Sequence, residues 1–254
     1  MILDKFKLDG KVALVTGASR GLGQGIALGL AEAGADIAGV SRGACDKTAA
    51  QVAALGRRFV HLPCDLTHAS VSELYGLVDQ AVETLGRLDI LVNAAGTTTR
   101  RPTLQYPEEE WDMVLQVNLK SIMFLSQAAA RYFAEHGGGK IINIASALSF
   151  QGGITVPAYT ASKHGVLGLT RSMANDLAAQ HINVNAIAPG YMLTDLTAPL
   201  AADPNRAPAI MSRIPAGRWG TPEDLQGVAV YLASAASDYC HGAVIAVDGS
   251  WLNR

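Results

Sequence analysis

The sequence predicts one α/β domain built around a doubly wound parallel sheet. Three observations point there. Short β-branched, apolar runs recur with amphipathic helical stretches between them. The runs are apolar throughout instead of alternating, as strands buried on both faces are. Over 254 residues no Pro/Gly/Ser-rich linker, internal repeat or low-complexity tract marks a second domain, and one wide sheet accommodates that length.

The first run is Val12-Ala13-Leu14-Val15-Thr16, followed by a helical pattern from Leu22 to Gly34. Further strands are expected at Ile37–Ser41, Arg58–Leu62, Asp89–Asn93, Lys140–Ser146, Asn183–Ile187 and Ala243–Val247. Strand, helix, strand is the rhythm of parallel βαβ units. In the doubly wound, Rossmann-like sheets so formed, ligands bind beyond the carboxyl ends of the strands, where strand order reverses. Residues just after each run are therefore the candidates for chemistry. Glu108, Glu109 and Glu110 fit a helix start after Pro107. From Pro189 to Pro215 the chain is least regular, with Pro199, Pro204 and Pro208 among small and polar residues, which disfavours long helices. The segment 190–215 reads as a substrate lid or as a plain surface excursion.

Apolar residues at 49% and charged ones at 17% supply a core and exclude the composition of disorder. A net charge of −2 without a Lys/Arg block excludes a surface that tracks nucleic-acid phosphates. Asp4, Lys5, Lys7 and Asp9 interrupt the first ten residues, so no signal-peptide core is expected there. Glu32 and Asp36 break the stretch from Gly25 to Val40, so no spanning segment and no membrane partner are expected. Cys45, Cys64 and Cys240 are odd in number, far apart and form no C-x-x-C pair. They read as small buried residues in a reducing, cytoplasmic compartment. The histidines lack metal-ligand spacing, and no metal is expected.

Immediately after the first run stands Thr16-Gly17-Ala18-Ser19-Arg20-Gly21-Leu22-Gly23, opening a helix. Glycines let the backbone approach a pyrophosphate, and unpaired N–H groups at a helix start attract its charge. The spacing is G-x-x-x-G-x-G, and it lacks the Lys-Ser/Thr ending of a nucleoside-triphosphate loop. The second run ends at Ser41-Arg42, where a site selecting an unphosphorylated ribose presents an acid. Arg42, with Arg20, suits a 2′-phosphate, so NADP(H) is favoured and NAD(H) remains open; a solvated surface charge is the other reading of Arg42. Asp36 falls at the amino end of its strand, the wrong end of the sheet, and reads as structural.

Ser146 closes the fifth run, and Tyr159-x-x-x-Lys163 begins a helical stretch after it. At i and i+4 the phenol and the ammonium share one helix face. Bringing a phenol to neutral pH requires roughly 4 kcal/mol of preferential phenolate stabilisation. A desolvated Lys163 and an oxidised nicotinamide together are expected to supply it, with Ser146 holding the substrate oxygen.

The glycine loop, Asn93-Ala94-Ala95-Gly96, Asn118, Ser146, Tyr159 with Lys163, and Pro189-Gly190, in that order, resemble the short-chain dehydrogenase/reductase family from end to end. Ala94 departs from the family's Asn-Asn-Ala-Gly. The resemblance implies an NAD(P)-dependent oxidoreductase acting on CH–OH groups. In it Tyr159 is general acid/base, Lys163 also binds the nicotinamide ribose, Ser146 positions the carbonyl and Asn118 maintains a water-filled proton relay. Gly17, Ser19, Arg20, Gly21, Leu22, Gly23, Ser41 and Arg42 would line the dinucleotide, as would Asn93, Ala94 and Gly96. Asp65 and Leu66 would meet the adenine, and the backbone at Pro189, Gly190 and Met192, with Thr194, the carboxamide. A homotetramer is also implied.

Within that family the chain is most similar to bacterial sugar-acid dehydrogenases of the gluconate and deoxy-gluconate type. Segments such as Ser149-Phe150-Gln151-Gly152-Gly153 and Ile214-Pro215-Ala216-Gly217-Arg218-Trp219-Gly220 support this. Arg100 and Arg101, after the fourth strand, are placed to bind a substrate carboxylate, and Gln151 its hydroxyls. Alternatively, at least one of the two arginines is a surface charge. The rival functions are a 3-oxoacyl-thioester or other carbonyl reductase of the same fold, and a dinucleotide-binding regulator without catalysis.

Overall fold

The computed structural model describes residues 1–254. The first run becomes β1 (Val12–Thr16), buried at every position. Val12 and Leu14 enter one apolar layer while Ala13 and Val15 enter the other, as the two-residue period of a strand requires. The other runs become β2 (Asp36–Ser41), β3 (Phe59–Pro63), β4 (Ile90–Asn93), β5 (Gly139–Ile144), β6 (Ile182–Pro189) and β7 (Val244–Val247). All pair in parallel, in the order β3-β2-β1-β4-β5-β6-β7. The order reverses between β1 and β4, which opens a crevice at their carboxyl ends.

Strand ends differ from the sequence reading because the neighbouring strand sets them. β5 stops at Ile144, so Ser146 lies beyond the sheet. β6 extends to Pro189, whose Cα partner is Val247, because Gly190 N–H donates to the Val247 carbonyl at 3.0 Å.

The helices are α1 (Gly21–Glu32), α2 (Asp46–Ala54), α3 (Val71–Leu85), α4 (Glu108–Leu115), α5 (Ser121–Glu135), α6 (Pro157–Leu177), α7 (Ala198–Ala201), α8 (Arg206–Met211) and α9 (Gln226–Ala233). On one face of the sheet α3 and α5 bury Leu74, Leu77, Leu125 and Phe133. On the other, α1 and α9 bury Ile26, Leu30, Ala229 and Leu232. A π-helical turn, Gln116–Lys120, joins α4 to α5 and carries Asn118. No helix is long and apolar enough to cross a membrane.

Asp36 binds the Arg58 backbone N–H at 2.8 Å and its Nε at 2.7 Å, tying β2 to the start of β3. The cysteines are unpaired, and only Cys45 is buried. Cys64, half-buried, faces the crevice because it directly follows β3. Partial burial, with Glu73 and Asp65 nearby, pushes its thiol up.

Candidate active site

The crevice begins where Gly17 leaves β1 at φ +72°, a region open to glycine. A Cβ on Gly23 would stand 2.3 Å from the Gly17 carbonyl oxygen, so the loop can fold back onto α1 only with glycine there. No side chain caps α1, and no acceptor in the chain receives the N–H of Gly21 or Leu22. Unpaired donors at the positive end of a helix suit a pyrophosphate. Gly23→Ala should cost about 1–3 kcal/mol of stability, because a backbone atom has to move. It should also weaken dinucleotide binding roughly tenfold or more, as read by thermal melting and fluorescence titration.

Thr16 Oγ1 accepts the N–H groups of Ala94 at 2.9 Å and Ala95 at 3.0 Å. This locks the turn after β4 against the end of β1 through backbone donors, which explains why Ala suffices at position 94.

A trough of about 900 Å³ runs along these strand ends. It is lined by Gly17 and Ser19 to Gly23, Ser41 and Arg42, Asp65 and Leu66, Ala94 and Gly96, and Pro189, Gly190, Met192 and Thr194, together with Ser146, Tyr159 and Lys163. Two of the expected residues stand behind it. Asn93 is buried inside the sheet, its Nδ2 donating to Ser126 Oγ and Asn143 Oδ1 at 2.9 Å each. Asn118 is also buried. It accepts from Thr97 N–H at 2.8 Å and donates to the Thr97 carbonyl at 2.9 Å and Ser162 Oγ at 3.2 Å. It thereby shapes the turn that Gly96 begins.

At the far end of the trough Arg42 is 76% exposed and 3.8 Å from Asp65. Ser41 is turned inward, donating to the Gly43 carbonyl at 2.6 Å. The Thr67 N–H holds the Asp65 carboxyl below its usual range. Arg20 lies 3.3 Å from Asp195, so the glycine loop touches the segment after β6.

At the other end Ser146 Oγ accepts the Leu148 N–H at 3.1 Å, which leaves its own O–H to donate. Ser149 fixes this turn, receiving the Ser146 N–H at 3.2 Å and donating to the Lys163 carbonyl at 2.7 Å. Pro157 starts α6, bringing Tyr159 and Lys163 to the same wall. Lys163 Nζ is 5.6 Å from the Tyr159 ring centroid and donates to the Ile144 carbonyl at 2.6 Å. Burial drives its ammonium down to about 8. The phenol is pushed up by burial, opposed by the Ser146 hydroxyl and the Arg100 charge. Without the cofactor burial therefore outweighs both the hydroxyl and the charge at the phenol, and Lys163 is desolvated, as the sequence leads one to expect.

These residues fit a nicotinamide dinucleotide. The helix start offers free donors to phosphates, and Lys163 has three N–H groups but one acceptor in the chain, leaving two for ribose hydroxyls.

A second cavity of about 390 Å³ opens onto the same place, sharing Ser146, Tyr159, Gly190, Leu196 and Thr197 with the trough. Arg100 and Gln151 line it, and Gln151 Oε1 accepts the Trp251 indole N–H at 2.9 Å. Arg101 does not: adjacent to Arg100 in an extended segment, it turns outward and pairs with Glu110 at 2.9 Å. Sequence reasoning missed Thr98, Tyr191, Asn205, Arg206, Arg213 and Trp251 on these walls, which reach them through long-range packing. The segment after β6 contributes to both cavities. Its Leu200, Ile210 and Ile214 pack with Trp219 and Trp251, so it is an ordered wall of the site.

A family model described as Enoyl-(Acyl carrier protein) reductase matches residues 17–251. The chain is 58% identical to a 2-dehydro-3-deoxy-D-gluconate 5-dehydrogenase of Escherichia coli (strain K12), with 100% of both chains covered. It is 39% identical to a gluconate 5-dehydrogenase of Gluconobacter oxydans (strain 621H), covering 97% of this chain and 96% of that one. A crystal structure of a gluconate 5-dehydrogenase from Burkholderia cenocepacia J2315 in complex with NADP and tartrate superposes with a TM-score of 0.94 at 37% identity, covering 100% of each chain.

Proposed function

The chain belongs to the short-chain dehydrogenase/reductase family, and from that premise we propose that it reversibly oxidises a secondary hydroxyl of a sugar acid with NADP(H). The observation that supports this reading best is the charge of the second cavity. Seven of the thirteen arginines lie within 4.0 Å of a carboxylate. Arg100, Arg206 and Arg213, which line this cavity, do not, and no Asp or Glu lines it. Three guanidinium groups with no carboxylate within 4.0 Å, in one cavity with Ser146 and Tyr159, suit a hydroxylated anion. The relatives named for gluconate and its deoxy-keto derivatives agree with that chemistry.

Bound in the trough, the nicotinamide dinucleotide gives or takes the hydride. Ser146 donates its O–H to the substrate oxygen. Tyr159 Oη holds the proton delivered to that oxygen in reduction and receives it in oxidation. Because burial keeps the phenol protonated, the free site is poised as an acid, and oxidation should accelerate as pH rises. Lys163 orients the ribose, and the segment 190–215 acts as a lid that excludes water.

Arg42 and Arg20 support NADP(H), as does the bound NADP of the B. cenocepacia relative. NAD(H) is the second reading of the cofactor, since Arg42 is largely solvated. Arg42→Asp should shift the NADP(H)/NAD(H) ratio of kcat/KM by at least about tenfold toward NAD(H), since a charge-assisted contact is lost and a repulsion added. A wild type that prefers NAD(H) contradicts the assignment. A cytoplasmic homotetramer, assembled on the helices that carry Asn118 and Tyr159, completes the proposal; sedimentation equilibrium tests the assembly.

The substrate reading is tested by comparing kcat/KM for aldonic and deoxy-ketoaldonic acids with that for 3-oxoacyl thioesters. Sugar acids should win by roughly a hundredfold, about 2.7 kcal/mol of differential transition-state binding. Preference for the thioester would instead make it a carbonyl reductase of the acyl-chain type.

A further inference from the structure

The three guanidinium groups of the substrate cavity do not stand in equivalent places. Arg100 follows β4 and lines the cavity together with Ser146 and Tyr159. Arg206 begins α8 and Arg213 follows it, so both belong to the segment after β6. Neither touches the cofactor trough, whereas Ser146 and Tyr159 border both cavities. Arg213 is also held in place: its guanidinium carbon lies 4.0 Å from the Trp251 ring centroid. That ring is itself fixed by the Gln151 bond at 2.9 Å and an edge contact with Tyr191 at 4.7 Å. A planar guanidinium stacked on an aromatic face keeps its edge N–H groups free for a carboxylate. The Arg206 guanidinium donates to no acceptor in the chain; Asp203 accepts its backbone N–H at 3.0 Å and feels its charge.

We propose that Arg206 and Arg213 bind the substrate carboxylate from the segment after β6, so that a carbon remote from that carboxylate is presented to Ser146 and Tyr159. Arg100 lines the cavity with Ser146 and Tyr159 and is left to the reacting end of the substrate. The arrangement makes the segment a reader of the acid group: a carboxylate in the cavity meets Arg206 and Arg213, and a neutral polyol offers them nothing. It also sets regiochemistry, because the hydroxyl beside the carboxylate would be held at the wrong end of the cavity. The proposal rests on the sugar-acid reading above.

The test uses the full-length protein saturated with NADP(H). In the binding arm, tryptophan fluorescence is titrated with tartrate as the carboxylate probe. In the turnover arm, kcat and KM are measured for a deoxy-ketoaldonic acid and its neutral amide. Arg213→Ala and the double variant with Arg206→Ala should weaken tartrate binding at least tenfold and lower the acid-to-amide ratio of kcat/KM at least tenfold, with KM rising more than kcat falls. Arg213→Lys, which keeps the charge but loses the stack, should fall between, and melting curves show whether each variant is folded. Arg100→Ala should instead lower kcat/KM for the acid and the amide alike, leaving their ratio within a few fold of wild type. Wild-type tartrate affinity and acid preference in the folded double variant would overturn the proposal. So would a tenfold loss of acid preference confined to Arg100→Ala. Failure of the wild type to turn over any sugar acid, with tartrate still bound through Arg213, would sink the sugar-acid reading and leave the carboxylate site standing.

Discussion

Replacing Tyr159 with Phe is expected to lower turnover about 10³-fold, within the range that a positioned general acid/base contributes, while dinucleotide affinity stays close to wild type. The ring keeps its place between the trough and the substrate cavity, so only the transferable proton is lost. The residual rate should lose its dependence on phenol ionisation, because in the proposed mechanism deprotonation of this hydroxyl permits oxidation. Stopped-flow turnover with parallel cofactor titration checks both parts. A Phe variant within a few fold of wild type would place proton transfer elsewhere.

Lys163→Met should produce effects of opposite sign on activity and stability. Activity should fall by about 10³-fold, because in the proposed mechanism the ammonium orients the ribose beside the reacting carbon. Stability of the cofactor-free protein should rise. Lysine's ordinary 10.5 falls to about 8 in the fold, a difference of about 3 kcal/mol. Between these values the unfolded chain binds the extra proton, so wild-type stability increases with pH, and below about 8 the full penalty of burying the charge applies. Methionine removes the penalty along with the Ile144 bond, for a net gain of about 1–3 kcal/mol at neutral pH that disappears above the ordinary lysine range. Urea unfolding at neutral and alkaline pH measures it. Equal stability at both would show that Lys163 is not desolvated as described.

The parts of the site that could be read in the sequence are those fixed by local spacing. The glycine loop is contiguous, and Tyr159 and Lys163 share a face because four residues make about one helical turn. The sheet was legible because both-face burial leaves unbroken apolar runs, and register moved only the ends. What could not be read depends on contacts between distant segments. Arg100 and Arg101 look alike in sequence, and Glu110 decides which one turns away. Asn93 follows the pattern of a dinucleotide-lining residue in sequence, yet as the last residue of β4 it points into the sheet toward Ser126 and Asn143. Arg213 becomes a binding group only where Trp251, from the C-terminal end, closes under it. The upward push on the Tyr159 phenol likewise comes from its surroundings and not from its neighbours in sequence.

The central claim is that this site transfers a hydride from a sugar-acid carbon while Tyr159 handles the proton. It is tested most directly with a deoxy-gluconate-type acid carrying deuterium at each secondary carbinol carbon in turn, incubated with NADP and the wild-type protein. The account predicts that label from one position, remote from the carboxylate, appears in the reduced nicotinamide by mass spectrometry, and that no label appears with Tyr159→Phe over the same interval. Reduced nicotinamide formed without label from every one of the labelled positions, or label transferred at the wild-type rate by Tyr159→Phe, would contradict it.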